Sequence, residues 1–396
     1  MSKTDIKTCS ACGTGLINHR LSFALNLLEE TLGKYGNVFF SFVVKKKPQK
    51  FTAWAEKVIF SLFSILKIAR FNTDIEHATT GRSKLIWEEA KRRSISMEQV
   101  VLWGKYLEYY RARIEGKIFY FQSLPIPPTL PQEGYKWLDD KSILFEKFSV
   151  EKIPIPTTKK VSTWNNALSA FRMMTKPVIV KPNLGSRGRH TTTNIKTEKE
   201  LKDAFDLVKK ITPSMVIQEH LSGSVCRATT INEELVGFFR ADPPQVIGDG
   251  IHSIKELVFQ KNKARPERLS EIVINEDVIS FIDKLGYTPE NILEKDKVVN
   301  LSAKTGRMYG GYTEEMLWKV HPTMHSIFKK AGELVQAPVV GFDLIIENPT
   351  QDPDLSHWGI IECNSLPFID LHYFALEGPA INLAENIWDL WNIPKV

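Results

Sequence analysis

Long apolar runs are missing from this chain of 396 residues: none reaches transmembrane length, and the opening MSKTDIKTCSACG lacks the apolar core of a signal peptide. Cysteine is scarce as well. Four thiols, Cys9, Cys12, Cys226 and Cys363, cannot make a disulfide framework for a chain this size, which suits a reducing compartment, and the expected location is the cytoplasm. Nor is there a large excess of one charge. A formal net charge of +6 favours acidic small molecules but falls short of a nucleic-acid footprint, so no nucleic-acid partner is expected. With 43% hydrophobic and 25% charged residues the chain reads as globular, long enough for two or three domains.

Cys9 and Cys12 form a single CxxC with no second half-site, the nearest other ligand type being His19, so the pair is expected to be dispensable. Residues 1–80 read as a largely helical extension. In it Lys45, Lys46, Lys47 and Lys50 precede a stretch in which Phe51, Trp54, Val58, Leu62, Ile65 and Leu66 line one helix face. Core packing is the expectation for that face, with docking on an anionic membrane the alternative.

The most informative stretch runs from Val178 to His190, VIVKPNLGSRGRH. A short Val/Ile run bounded by Pro177 and Pro182 reads as a buried strand that delivers Lys181. Gly185 and Gly188 follow at once, in a loop with Ser186, Arg187 and Arg189, and backbone N–H groups in such a loop can face phosphate oxygens while the basic side chains add charge. Far downstream VVGFDLIIE (339–347) and GIIECNSLP (359–367) also read as buried strands. Asp343, Glu362 and Asn364 sit at their polar ends. Residues two apart in a strand share a face, so Glu362 and Asn364 can reach one ion, and hard oxygen ligands suit magnesium.

In that order VIVKP, GSRGRH, VIQEHLSG, GFDLI and IIECN resemble the ATP-grasp ligases, and VIGDGIHSIKELV (246–258) resembles the cyanophycin synthetase branch of that family. The resemblance covers roughly residues 140–396. It implies an α/β (α+β) ATP-grasp fold over 136–396 with a small lid subdomain over about 156–221, preceded by a pre-ATP-grasp-like α/β domain over 81–135 that ends in PIPPTLP. The implied cofactors are ATP and Mg2+ or Mn2+, the metal held by Asp343, Glu362 and Asn364. The implied nucleotide site comprises Lys141 (Lys147 being the alternative), Lys181, Gly185, Ser186, Gly188, Arg189 and the hinge Gln218, Glu219, His220 and Leu221. Arg227, Arg240 and Lys181 are the implied catalytic residues.

The sequence departs from the family in places. Val225 stands where relatives hold the ribose with an acid, leaving Glu219 as a candidate for that task. In the loop before Gly310 and Gly311, Ser302, Gly306 and Met308 replace Arg, Asn and Ser, with Lys304 and Arg307 able to restore charge; Ile381 replaces an arginine. All lie on the substrate side. The expected activity is therefore ligation of an unspecified carboxylate to an amine through an acyl phosphate, the substrates being amino acids or peptides. A small-molecule kinase, or a catalytically weak nucleotide-binding module, is the alternative. The sequence implies no particular oligomeric state.

Overall fold

The structure, a computed structural model, describes residues 68–184 and 190–393 together with a few positions between 19 and 27. Cys9, Cys12, the lysine cluster and apolar helix of the N-terminal extension, and Gly185, Ser186, Arg187, Gly188 and Arg189 lie outside the described residues.

The first unit is a four-stranded antiparallel sheet of β1 (Ala69–Asn72), β2 (Ser96–Leu102), β3 (Lys105–Ile114) and β4 (Lys117–Gln122), in that order. Two-residue turns set its register. Trp103-Gly104 and Glu115-Gly116 both have positive φ, the mirror-image geometry that matches strand twist. Helix α1 (Gly81–Arg92) covers the sheet, its start held by the Thr80 hydroxyl accepting from the Ser83 N–H. The expected boundary at residue 81 is therefore too late, because β1 pairs along its length with β2 and belongs to this unit.

The unit is not a separate body with its own core. Leu85, Ile86 and Trp87 pack with Leu383, Ile387 and Trp388 of the C-terminal helix and with Ile231 and Val339 of the central sheet. The buried Trp388 indole N–H donates to the Ile86 carbonyl at 2.9 Å, so the helix that carries Trp388 is stitched onto α1 of the first unit.

Helix α2 (Lys141–Val150), capped by Asp140, leads into the lid. There β5 (Thr158–Val161), β8 (Met215–Glu219), β6 (Val178–Pro182) and β7 (Thr192–Ile195) form an antiparallel sheet in that order. Its α3 (Trp164–Met173) and α4 (Glu198–Lys209) supply Ala167, Phe171, Leu201 and Phe205 to one apolar layer with the strands.

The central sheet runs β13 (Thr313–Glu315), β10 (Glu234–Ala241), β9 (Ser224–Ile231), β14 (Val339–Ile346), β15 (Gly359–Asn364), antiparallel throughout. One face buries Cys226, Ala228, Phe238, Phe342 and Leu344 against Phe328 and Val335 of the helix Pro322–Val335. The other face carries Arg227, Asp343 and Glu362, flanked by the apolar Phe239 and Ala241 on one side and by Ile231 and Val339, which pack on the first unit, at the strand ends. Residues 245–300 form a smaller unit in which β11 (Gln245–Ile247) pairs with β12 (Val298–Asn300), with its own core around Ile254, Val258 and Ile282, following the end of β10 at Ala241. Among the described residues no helix is long and apolar enough to cross a membrane.

Candidate active site

The register of the central sheet builds the site. Phe239 pairs with Arg227, Arg227 with Asp343, and Asp343 with Glu362, so one row of side chains crosses four strands on one face. Asn364, two residues beyond Glu362, joins that face, and its amide donates to Asp343 Oδ2 at 3.0 Å. Arg227 grips the same carboxylate with both prongs, Nε to Oδ1 at 2.7 Å and an Nη to Oδ2 at 2.8 Å, a bidentate pair that lysine could not make. Asp343 raises the pKa of Arg227 against the effect of burial.

Two lysines close over this row. Lys141, 1% exposed, reaches Glu362 Oε1 at 3.3 Å from the first turn of α2. Lys181, delivered by β6, donates to the Ile361 carbonyl at 3.2 Å. Burial, and next the charge of Lys141, push the Lys181 ammonium down to about 8, with Glu362 and Asp343 acting in opposition. The alternative Lys147 has its ammonium 4.9 Å from the Trp137 ring centre.

The glycine loop is held at both ends by fixed posts. Asn183, wholly buried, donates to Asp140 Oδ1 and accepts from the Ser142 N–H, and Leu184 bridges to Asp140, while His190 contacts the Leu207 carbonyl at 3.0 Å. On the hinge, the Gln218 amide donates to Thr158 Oγ1 at 2.8 Å and its buried oxygen has no hydrogen-bond partner among the described residues. The Glu219 carboxylate accepts from the Thr157 N–H and lies 3.4 Å from His357, so it is already engaged. His220 donates its N–H to the Pro177 carbonyl, and the Leu221 side chain is buried. Gly223 then turns with φ near +123°. A Cβ there would meet the Ile346 backbone at 2.4 Å, so only glycine fits between hinge and sheet.

Arg240 is not brought to this face. It pairs with Cys226 and Glu314, one residue out of step with Asp343, and its guanidinium binds Asp242 at 2.8 Å on the opposite side of the sheet. The residues that β10 offers to the site's face are Phe239 and Ala241. Val225 lies opposite Ala241 on that same face. His252 caps a turn with Asp249 at 2.6 Å, away from the row.

Three residues of the site's surroundings carry no motif. Arg82 of α1 donates to the Leu366 and Pro367 carbonyls just beyond Asn364. Asp139 accepts from Ser365 Oγ at 3.2 Å, and burial holds its carboxyl above the usual range. Asp370, likewise raised by burial, lies within the fields of Arg82, Arg307 and Arg227. Their sequence signals are weak, since an Arg in a first helical turn or an Asp after a Pro-Phe-Ile is unremarkable until the chain folds.

No family model matches the chain. It is 26% identical over 248 residues to cyanophycin synthetase of Synechocystis sp., a match covering 60% of this chain and 28% of that protein. It is 26% identical over 263 residues to the glutathione biosynthesis bifunctional protein GshAB of Clostridium perfringens, covering 64% and 34%. The chain thus spans about a third or less of these relatives' length. Among solved structures, the bifunctional glutathione synthetase from Pasteurella multocida matches with a TM-score of 0.55 and 20% identity over 78% of this chain and 43% of that one. These comparisons define the fold as ATP-grasp. Within it, the chain is a relative of cyanophycin synthetase and of GshAB.

Proposed function

We propose that the chain is an ATP-dependent ligase that activates a carboxylate as an acyl phosphate and couples it to an amine. The observation that carries this reading is the charge balance of the row: Lys141, Lys181 and Arg227 against the two carboxylates Asp343 and Glu362. A net positive, nearly dry cluster of this kind suits a polyphosphate. The donor chemistry fits magnesium, since two carboxylates and an amide oxygen share one face. Among the described residues no group of three or more His, Cys, Asp or Glu side chains is placed for a metal, so the fit rests on Asn364 as third ligand. Asp343, Glu362 and Asn364 would hold the ion, which would neutralise phosphate charge between protein and nucleotide.

Lys181 and Lys141 would face the transferring phosphoryl group, and Arg227 would hold Asp343 in place. Adenine would lie along the hinge 218–221, where the Leu221 N–H makes no hydrogen bond among the described residues. Gly185, Ser186, Gly188 and Arg189 would cover the phosphates between the posts at Leu184 and His190. The γ-phosphoryl group moves to a substrate carboxylate oxygen, giving ADP and an acyl phosphate. The amine nitrogen then attacks the acyl carbon, a C–N bond forms, and the C–O bond to phosphate breaks. Of the two protons the ammonium loses, one leaves with phosphate and one goes to a base. Such chemistry is mostly positioning and charge stabilisation. The cytoplasm, which supplies ATP and keeps buried thiols such as Cys226 and Cys363 reduced, is the setting we assign.

The test is ADP release from the full chain with amino acids and short peptides, singly and in pairs. ADP that requires both an acid and an amine is the expected result, and Asp343→Asn should lower that turnover by about a hundredfold or more. ADP formed with one hydroxyl-bearing substrate and no amine would replace the ligase by a kinase. ATP binding without ADP from any pair would leave a nucleotide-binding module.

A further inference from the structure

His190 is the first described residue after the loop 185–189, and two features set it apart from a surface loop residue. It is 1% exposed, and its backbone takes a φ of +52°, a left-handed conformation that a residue with a Cβ keeps where its surroundings fix it. One ring nitrogen shows how the ring is held. Nδ1 lies 3.0 Å from the Leu207 carbonyl on α4, and a carbonyl can only accept, so in the neutral ring the proton sits on Nδ1 and the lone pair on Nε2. An imidazole oriented by a backbone carbonyl on one nitrogen presents the other as a metal ligand.

A second imidazole meets this one from the other end of the chain. The His19 ring centre is 5.2 Å from that of His190, with the ring planes at 85°. Two imidazoles on one tetrahedral zinc, each nitrogen about 2.0–2.1 Å from the ion, have their ring centres roughly 5 Å apart. Edge-to-face ring packing covers the same range, about 4.5–7 Å, so the separation fits both arrangements. The sequence ahead of His19 decides between them. In the stretch CSACGTGLINH, Cys9 and Cys12, which lie outside the described residues, form a C-x2-C step with Gly13 directly after it. Two thiols at that spacing are half of a zinc ligand set, glycine allows the chain to turn back after the step, and so short a stretch keeps both thiols within chain reach of His19. The other half, missing from the neighbouring sequence, is the pair of imidazoles that the fold brings together.

We propose that Cys9, Cys12, His19 and His190 form a structural zinc site that fastens the N-terminal segment to the lid at the far post of the glycine loop. Two thiolates and two imidazoles make a tetrahedral S2N2 set, which suits zinc, whereas the oxygen ligands Asp343, Glu362 and Asn364 suit magnesium. With all four positions taken by protein there is no place for water or substrate, so the ion is structural rather than catalytic. Binding turns two thiols into thiolates and releases their protons, and no redox step is involved. The consequence falls on the lid. Strand β7 begins at Thr192, directly after this post, so an ion held in part by the N-terminal segment fixes where the loop ends and the strand begins. The cysteine pair is then not dispensable, contrary to what an isolated C-x2-C suggests. The zinc site shares no ligand with the Asp343 row, and it stands or falls independently of the ligase reading.

The experiment is elemental analysis of the full chain, purified under reducing conditions without chelator and dialysed against metal-free buffer. About one zinc per chain is expected, and the protein loaded with Co2+ in its place should show thiolate-to-metal absorption together with the visible bands of a tetrahedral site. Cys9→Ser combined with Cys12→Ser, and separately His19→Ala, should weaken zinc by more than the about 10–100-fold typical of losing an outer-shell partner. His190→Asn should do the same. Its amide can still donate to the Leu207 carbonyl and asparagine tolerates the left-handed backbone, so this variant removes the ligand and keeps the fold. The exposed His325→Ala and the row variant Asp343→Asn should both keep the full zinc content, the second separating this ion from metal bound at the row. Removing zinc from the unmodified chain should quicken amide hydrogen exchange in Thr192–Ile195 by about tenfold or more, with the central strands β9 and β14 unchanged. The proposal is overturned by a chain that holds no zinc and gives no thiolate–cobalt absorption. It is overturned equally by zinc that persists in the double serine variant or in His190→Asn, which would make the His19 contact ring packing only. Unchanged exchange in β7 would sink the assignment of the ion to the lid post.

Discussion

Lys181 is the residue whose chemistry the fold alters most usefully. Held near 8 by burial and by Lys141, its ammonium is only partly charged in the nucleotide-free protein at mildly alkaline pH. Relative to the ordinary value of 10.5 the shift is downward, so between these two values the unfolded chain binds a proton that the folded chain lacks. Folding stability from this group therefore rises with pH across that window, and is lowest below pH 8 where the buried charge is fully present. A bound triphosphate supplies the missing anion and returns the pKa upward. ATP binding near pH 8 should accordingly take up a proton, visible as a binding enthalpy that changes with the buffer's ionisation enthalpy. Lys181→Met should remove that dependence and weaken ATP by about tenfold or more, as loss of a charged contact implies. An enthalpy independent of buffer in the unmodified protein would show that the ammonium does not titrate on binding.

At the scale of the strand, a single step of register decides which side chains meet. Arg240 and Ala241 are neighbours in sequence, and the period of two sends them to opposite faces. Arg240 is about a third exposed and engaged with Asp242, so its removal should cost about 1 kcal/mol or less after screening and leave ATP turnover within a few-fold. Thermal unfolding and initial rates of Arg240→Ala check both halves; a hundredfold loss of rate with unchanged stability would return Arg240 to the site. The strands themselves were legible: the apolar runs that carry Lys181, Asp343 and Glu362 form strands where the sequence pattern puts them. What could not be read was pairing. That Asp343 lies between Arg227 and Glu362, or that a turn covers Ala241, depends on contacts between separate segments, Arg227 and Asp343 being 116 residues apart. The edge of β10 misled because an arginine at the end of an apolar strand looks the same on either face.

Across the whole molecule, the first unit and the site are mechanically one piece, and Arg82 joins them. One of its Nη atoms donates to the Leu366 and Pro367 carbonyls directly after the strand of Glu362 and Asn364, while the other reaches Ser123 Oγ at 2.8 Å and Glu108 at 3.4 Å in the first unit. Its guanidinium carbon also stands 4.9 Å from the Phe368 ring centre. Composition and periodicity gave no sign of this clamp, because Arg82 looks like any charged residue in a first helical turn. Removing it leaves the half-buried Glu108 still served by the hydroxyls of Thr79, Thr80, Ser83 and Ser123, which hold its carboxyl below the usual range against the effect of burial. The loss should thus fall short of the full penalty for a broken buried pair, at about 2–3 kcal/mol for Arg82→Ala. Calorimetric unfolding would show this as a lower Tm. The functional consequence should be more selective than the thermal one. With the two carbonyls released, Glu362 and Asn364 lose the anchor beyond their strand, so the magnesium concentration for half-maximal ATP turnover should rise several-fold at a temperature where the variant is folded. The apparent affinity for the amine should change less. Arg82→Lys keeps one charge but cannot reach carbonyls and Ser123 together, so it should restore stability more than magnesium affinity. Equal recovery of both would mean that Arg82 acts only through the core shared by the two ends of the chain.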